Sequence, residues 1–255
     1  MNLPGIVADL AQLKDDLIIV HGANAWRDEL AVILNKPKKI ITSVSGYDSV
    51  YSDESAIDLL LMAYAGLRNK RLVELCQGVG INAIGLTGID GQVIRGRRNP
   101  GIRVREGDKT RIIRDLSGKP IQENQVLLEL LIRHGYTPVL TVPIIDENRV
   151  AINSENDEIV SLLQKSFRAA VVVQMIEAPG FLADSGDSSS LIPRLTPPEL
   201  TDWEEQVNGR MKRKLHALRK LFDYGAMKVI IADGRVRQPV RDAFSGRGTV
   251  IEPVT

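Results

Sequence analysis

Residues 82–91 read NAIGLTGIDG, a short apolar run that empties into a turn carrying Gly85, Gly88 and Gly91. A strand buried on both faces shows such a continuous run, and a parallel sheet is built from strands of that kind. The same unit recurs in both directions. Upstream, LIIVHGA (17–23) reads as a strand and turn, followed by a helix over 24–34. Ser52 is the expected N-cap of a long helix with Asp53 and Glu54 in its first turn, running to Gly66 and on to Gln77. Downstream come a helix over 122–134, the strand TPVLTVP (137–143), a helix over 156–165 and the strand AAVVVQMI (169–176). A helix over 208–221, the strand MKVIIAD (227–233), a short helix over 238–244 and a last strand GTVIEP (248–253) close the series. This alternation predicts an α/β fold, a three-layer α/β/α sandwich around a mostly parallel sheet. Ligands of such sheets gather at the carboxyl ends of the strands, so HGA, GLTGIDG and QMIEAPG are the loops expected to carry function.

Three segments break the pattern. Residues 38–51 are rich in Ser, Gly and Tyr, and 185–198 read as a surface loop. Residues 95–119, RGRRNPGIRVREGDKTRIIRDLSGK, are basic and alternating, with VRE-GD-KTR as a hairpin and Gly107-Asp108 at its turn. A net charge of +1 argues against a nucleic-acid binder built on bulk charge. No aromatic interleaves the arginines of the hairpin, so bases would find no stacking platform there. The lone Cys76 excludes an internal disulfide and sits in an apolar helical run, LVELC, as a buried thiol. No metal site is expected, because no Cys/His spacing suits one, and His134 and His216 lie in helical runs beside charged neighbours. No stretch approaches the ~20 apolar residues of a membrane span, and the start, MNLPGIVADL, has no basic leader, so a cytoplasmic protein is expected.

Five stretches taken in order, VHGA (20–23), GLRNKRLVEL (66–75), NAIGLTGIDG (82–91), AIN (151–153) and GRMKRK (209–214), resemble the acetylglutamate kinase branch of the amino-acid kinase family. SGYDSVYSDES, the GRR after GIDG, GRMKRK and ADGRV resemble the sub-branch that acts on glutamate or 2-aminoadipate held on a small acidic carrier protein. The resemblance implies an ATP-dependent kinase that phosphorylates the side-chain carboxylate of an N-acylated glutamate or 2-aminoadipate, in arginine or lysine biosynthesis. Mg²⁺ would arrive with ATP. It also implies an acyl-amino-acid lobe over 1–165, a nucleotide lobe over 166–255, a homodimer, and an acidic carrier docking on the hairpin between Arg95 and Arg114.

Moving a phosphoryl group onto a carboxylate requires two anions held together and their charge neutralised. His21, Gly22 and Ala23 follow a strand and precede a helix, the place for a phosphate-cradling turn. By resemblance, Lys214 contacts the transferring phosphoryl group, Asn153, Gly85 and Gly88 border the substrate, and Glu177, Gly180 and Asp233 border the nucleotide. Asn69 and Lys70 flank the substrate site as structural residues. The chain departs from the family pattern in three places. The family's opening Lys-x-Gly-Gly strand is expected to be missing ahead of Met1, either because the start is internal or because the chain is a degenerate relative. Val50 stands where an arginine grips the substrate α-carboxylate. Glu155 replaces the aspartate that orients the lysines, with Asp157 as its alternative. Two readings follow: an active kinase, or an inactive relative that binds a nucleotide, an amino-acid derivative or a carrier.

Overall fold

The structure is a computed structural model that describes residues 1–13, 15–42, 44, 48–106, 109–184, 186–207 and 209–253. The turn expected at Gly107-Asp108 lies outside the described residues. In chain order the elements are α1 (Leu3–Leu10), β1 (Ile19–Val20), α2 (Asn24–Ile33), β2 (Ile40–Thr42), β3 (Asp48–Val50) and α3 (Glu54–Leu60). A π-helical segment, Leu61–Arg68, then leads directly into α4 (Asn69–Gly78). There follow β4 (Ala83–Thr87), β5 (Ile94–Arg98), β6 (Ile102–Glu106), β7 (Lys109–Ile113), β8 (Gly118–Glu123), α5 (Gln125–Arg133), β9 (Thr137–Thr141), β10 (Ile144–Ile145), β11 (Ala151–Ile152) and α6 (Asn156–Phe167). The remainder is β12 (Val171–Ile176), β13 (Arg194–Leu195), α7 (Pro197–Gln206), α8 (Gly209–Asp223), β14 (Lys228–Asp233), α9 (Pro239–Phe244) and β15 (Thr249–Ile251).

The chain divides into two compact units. One comprises Asp16–Glu74 and Asn82–Leu162. Its parallel sheet has the order β1-β9-β4, with Ile19 and Gly85 both opposite Val139. The central strand β9 is buried from Pro138 to Thr141, which accounts for its unbroken apolar sequence. A second sheet, β11-β10-β5-β8, is mostly antiparallel, and β6 pairs with β7 inside the β5–β8 connection, so the basic segment folds as one antiparallel pair nested in another.

The other unit comprises Met1–Asp15, Leu75–Ile81 and Leu163–Thr255. Its sheet has the order β12-β14-β15-β13. β12 and β14 run parallel, while β15 returns antiparallel to β14. Ile230, Ala232 and Ala243 form a core beneath them, flanked by Val171, Val173 and Met175. Helix α1 is tied to this unit. Asn2 caps α1 by accepting from Gly5 N and donates through Nδ2 to Val236 O. Asp9 Oδ2 accepts from the amides of Val240 and Arg241, capping α9, whose own N-cap Gln238 makes no side-chain bond.

Three local expectations are corrected. The N-cap of α3 is Asp53, which accepts from Ala56 N, because Ser52 is drawn into a buried network. The helix after residue 122 begins at Gln125, capped by Asn124, since Gln122 and Glu123 belong to β8. The segment 185–198 contains β13 and the start of α7, where Thr196 and Glu199 form a capping box. Residues 38–51 include a short hairpin, β2–β3. Cys76 is fully buried as expected, and burial pushes its thiol pKa up.

Candidate functional site

Parallel pairing brings the carboxyl ends of β1, β4 and β9 to one edge of their sheet. The register runs past β1, since His21 N donates to Leu140 O at 3.1 Å, and Thr141 Oγ1 donates to His21 O at 2.9 Å. Gly88 N is shared between Thr141 O (3.2 Å) and Pro143 O (2.9 Å). The 21–23 turn and the 87–91 turn are thus both stitched to the end of β9. Thr87 donates twice to Asp90 Oδ2, from its amide and its hydroxyl, so that carboxylate closes its own turn. Gly91 sits at φ 56, the left-handed region that favours glycine. Gly85 and Gly88 are needed for packing: a Cβ at Gly85 would strike Asn69 Oδ1, and one at Gly88 would lie 2.7 Å from Ile144 Cα.

The 21–23 turn opens α2. Its N-cap is Ala23, which makes no side-chain cap bond, so the first amides of α2 keep their donors for another acceptor. The space beside Gly22 borders Asn156, whose Nδ2 would lie 3.3 Å from an added Cβ. Asn156 Oδ1 and the nearby Ser154 Oγ are buried without a partner among the described residues. His21 faces inward. Burial, with a smaller repulsion from Arg68, lowers its pKa from 6.5 to about 4 against a modest opposing bond to Gly22. The ring is therefore neutral at physiological pH.

A second polar cluster adjoins Val50. Asp115 is buried and accepts from Ser52 N (3.1 Å), Ser117 N (3.2 Å) and Ser117 Oγ (2.5 Å). Asn153 Nδ2 donates to Ser52 Oγ at 3.2 Å, and Asn153 N donates to Leu116 O. Val50 pairs with Ile40 in the β2–β3 hairpin. Glu155 is exposed ahead of α6, and Asp157 lies in the first turn of that helix. In this unit the structure therefore groups His21, Gly22 and Ala23 with the Gly85–Gly88 strand end, and Asn153 with the segment carrying Val50.

In the other unit, β12 and β14 end together: Ile176 is opposite Asp233, and Gly234 N donates to Ile176 O at 2.8 Å. Glu177 and Asp233 thus sit on adjacent turns. Arg235 holds Asp233 through two bonds of 2.8 and 2.7 Å and keeps its carboxyl below the usual range. Gly180 has no room for a Cβ against Leu191 and Thr249. A cavity of about 360 Å³ lies beside these turns, lined by Pro179, Leu191, Asp233, Val236, Pro239 and Arg247 among others. Lys214 is exposed and is the sixth residue of α8, beyond the first turn where a helix dipole acts most strongly. Among the described residues no group of three His, Cys, Asp or Glu side chains could hold a metal ion, and no helix is long and apolar enough to cross a membrane.

The model of the amino acid kinase family matches residues 2–233. The chain belongs to that family. LysW-aminoadipate kinase of Thermus thermophilus is 37% identical over 98% of this chain and 96% of its own length. Acetylglutamate kinase of Methanopyrus kandleri is 29% identical over 96% of this chain and 94% of its own. N-acetylglutamate synthase of Neisseria gonorrhoeae, solved with coenzyme A and N-acetyl-glutamate, superposes on the whole chain and on 56% of its own with a TM-score of 0.79 at 18% identity. This likeness places the chain in the amino-acid kinase fold. Within it, the sequence reading passed over Tyr64, Ser52 and Asp115 and took Asn69 as a structural residue. A buried Asn at the boundary of an apolar helix was the available signal for Asn69. The other three gave none, because their partners lie 40 to 101 residues away.

Proposed function

We propose that the chain is an ATP-dependent kinase that phosphorylates the side-chain carboxylate of an N-acylated glutamate or 2-aminoadipate, presented on an acidic carrier protein. The observation that carries this reading is the likeness to LysW-aminoadipate kinase across 98% of the chain. The uncapped start of α2 at the 21–23 turn supports it. A carboxylate nucleophile with a pKa near ~4.3 is already ionised at neutral pH, so no general base is needed. Its oxygen attacks the γ-phosphorus, the bond to the β,γ-bridging oxygen breaks, and ADP leaves with that oxygen's electrons. The protein's task is to align the two anions and spread their charge. In this reading the amides opening α2 receive phosphate oxygens, and the Lys214 ammonium supplies a cation for the transferred charge. Gly85, Gly88 and Asn153 border the acceptor, and Glu155 or Asp157 orients the cation. Glu177, Gly180 and Asp233 border the nucleotide, whose phosphates carry Mg²⁺. Val50 cannot pair with an α-carboxylate, so in this reading Asn153 and Ser52, bonded to each other at 3.2 Å, are the polar groups offered to it.

The carrier docks on the nested hairpins. Arg97, Arg103, Arg105, Lys109 and Arg114 are exposed there, beside an exposed Ile112. Arg98 is different, because its guanidinium is paired with the buried Asp146 at 2.8 Å. Charge reversal at Arg103 and Arg105 is therefore the cleaner perturbation, and it should weaken carrier binding most at low salt. The main test is trapping of the acyl phosphate with hydroxylamine, comparing carrier-linked and N-acetyl substrates and including Lys214→Ala. Turnover of the carrier-linked substrate that Lys214→Ala abolishes is expected. ATP binding without turnover would instead favour the inactive relative.

A further inference from the structure

Tyr64 and Asn69 stand five residues apart on one helical run, yet both reach side chains of the short stretch 21–24. Tyr64 Oη donates to Asn24 Oδ1 at 2.7 Å. Asn69 Nδ2 lies 3.1 Å from His21 Nε2 and donates to Val139 O at 3.0 Å. In an α-helix, five residues sweep about 500° and leave two side chains about 140° apart. Here the run from Leu61 to Arg68 is π-helical, and the amide of Asn69 bonds the carbonyl of Tyr64. That i→i+5 bond stacks the two residues one turn apart, and such turns recur at functional sites.

The direction of the Asn69 amide follows from its surroundings. Val139 O can only accept, so the group facing it is the NH₂, and the same NH₂ faces His21 Nε2. Nε2 must then accept, which puts the ring proton on Nδ1, on the side of Gly22 O at 3.4 Å. The remaining atom, Asn69 Oδ1, is buried without a partner among the described residues and lies where only a glycine at position 85 leaves room. A residue 1% exposed with an orphaned oxygen is a poor choice for packing alone, and it is its NH₂ that meets Val139 O and His21 Nε2.

We propose that Tyr64 and Asn69 are positioning residues that, through the π-turn between them, hold the 21–24 turn in its phosphate-receiving geometry and fix His21 as the neutral Nδ1–H tautomer. The role rests on reading that turn as the phosphate cradle. Their recorded contacts are with Asn24, His21 and Val139, so they act on the placement of the turn.

The test combines ¹⁵N NMR of the histidine rings, assigned with His21→Gln, with steady-state kinetics of Tyr64→Phe, Asn69→Asp and the double variant. Wild type should show His21 protonated on Nδ1 and bare on Nε2. Asn69→Asp, of equal size, should move the proton to Nε2, and Tyr64→Phe should leave it in place. Each single variant should lower kcat by about 10- to 100-fold, with KM for the carboxylate substrate little changed. The double variant should lose less than the product of the two, because both act on one turn. Tyr64→Phe removes one hydroxyl and should keep the wild-type melting profile, which separates positioning from unfolding. An Nε2–H tautomer in wild type overturns the assignment. Active variants beside an active wild type overturn the positioning role alone, whereas an inactive wild type overturns the function proposed above and this role with it.

Discussion

Acidification should destabilise the fold through His21 before most carboxylates titrate. The ring's pKa is lowered to about 4 in the folded chain, against 6.5 for a free imidazole. The neutral form is the folded form, so the unfolded chain binds the extra proton between those two values. Stability is therefore intact above pH 6.5, falls as the pH drops towards 4, and then levels off. At pH 5 the unfolded ring lies 1.5 pKa units above the solvent pH while the folded ring stays neutral, which at ~1.36 kcal/mol per unit is about 2 kcal/mol. Below pH 4 the loss reaches a ceiling near ~3 kcal/mol by the same arithmetic, and partial exposure of His21 makes both figures upper values. Among the described residues, Asn69, the Gly22 carbonyl and Arg68 are the polar groups recorded against the ring, and none is an anion. Urea unfolding at pH 7.5 and pH 5 of wild type and His21→Gln isolates the effect, since carboxylates titrate alike in both. Wild type should lose about 2 kcal/mol more than the variant over that interval. Equal losses in the two proteins would refute the buried neutral ring.

Three further outcomes follow from the packing. Gly85→Ala must displace Asn69 and should cost about 2–4 kcal/mol in chemical denaturation, whereas Gly78→Ala, with open space around it, should be neutral or stabilise by ~0.5–1 kcal/mol. Asp9→Ala removes the cap that α1 lends to α9 and should cost about 1–2 kcal/mol by thermal melting, with hydrogen exchange rising first at Val240 and Arg241. Asp146 is buried and accepts from Asn148 N, Val150 N and Arg98; Asp146→Ala should cost about 3 kcal/mol, and Asp146→Asn less, as read by urea midpoints.

Apolar runs made strands legible: Thr137–Thr141 is buried on both faces and reads as such, and Val171–Ile176 and Lys228–Asp233 show similar runs although β12 is half-buried along its length. The glycine turns were legible as turns. Their tightness against Asn69 and Ile144 was not, since it depends on residues brought in by the fold. The same reason hid Ser52. Its sequence context fits an N-cap as well as Asp53 does, and only the distant Asp115 and Asn153 decide between them. The π-winding after Leu60 left no trace either, since a wide turn and an α-turn place apolar residues at similar spacings over so short a run.

The π-segment also sets a rule for length. Surface loops absorb inserted or deleted residues at small cost, because only their ends are fixed. Between Leu61 and Arg68 the residue count is itself part of the geometry. Removing one residue would leave Tyr64 and Asn69 four positions apart, where α-winding sweeps about 400° and keeps the pair within about 40° of one face, whereas five positions of α-winding would turn Asn69 about 140° away. A chain with one residue fewer between the two positions therefore reaches the same stacking with plain α-winding, while the count present here requires the π-turn.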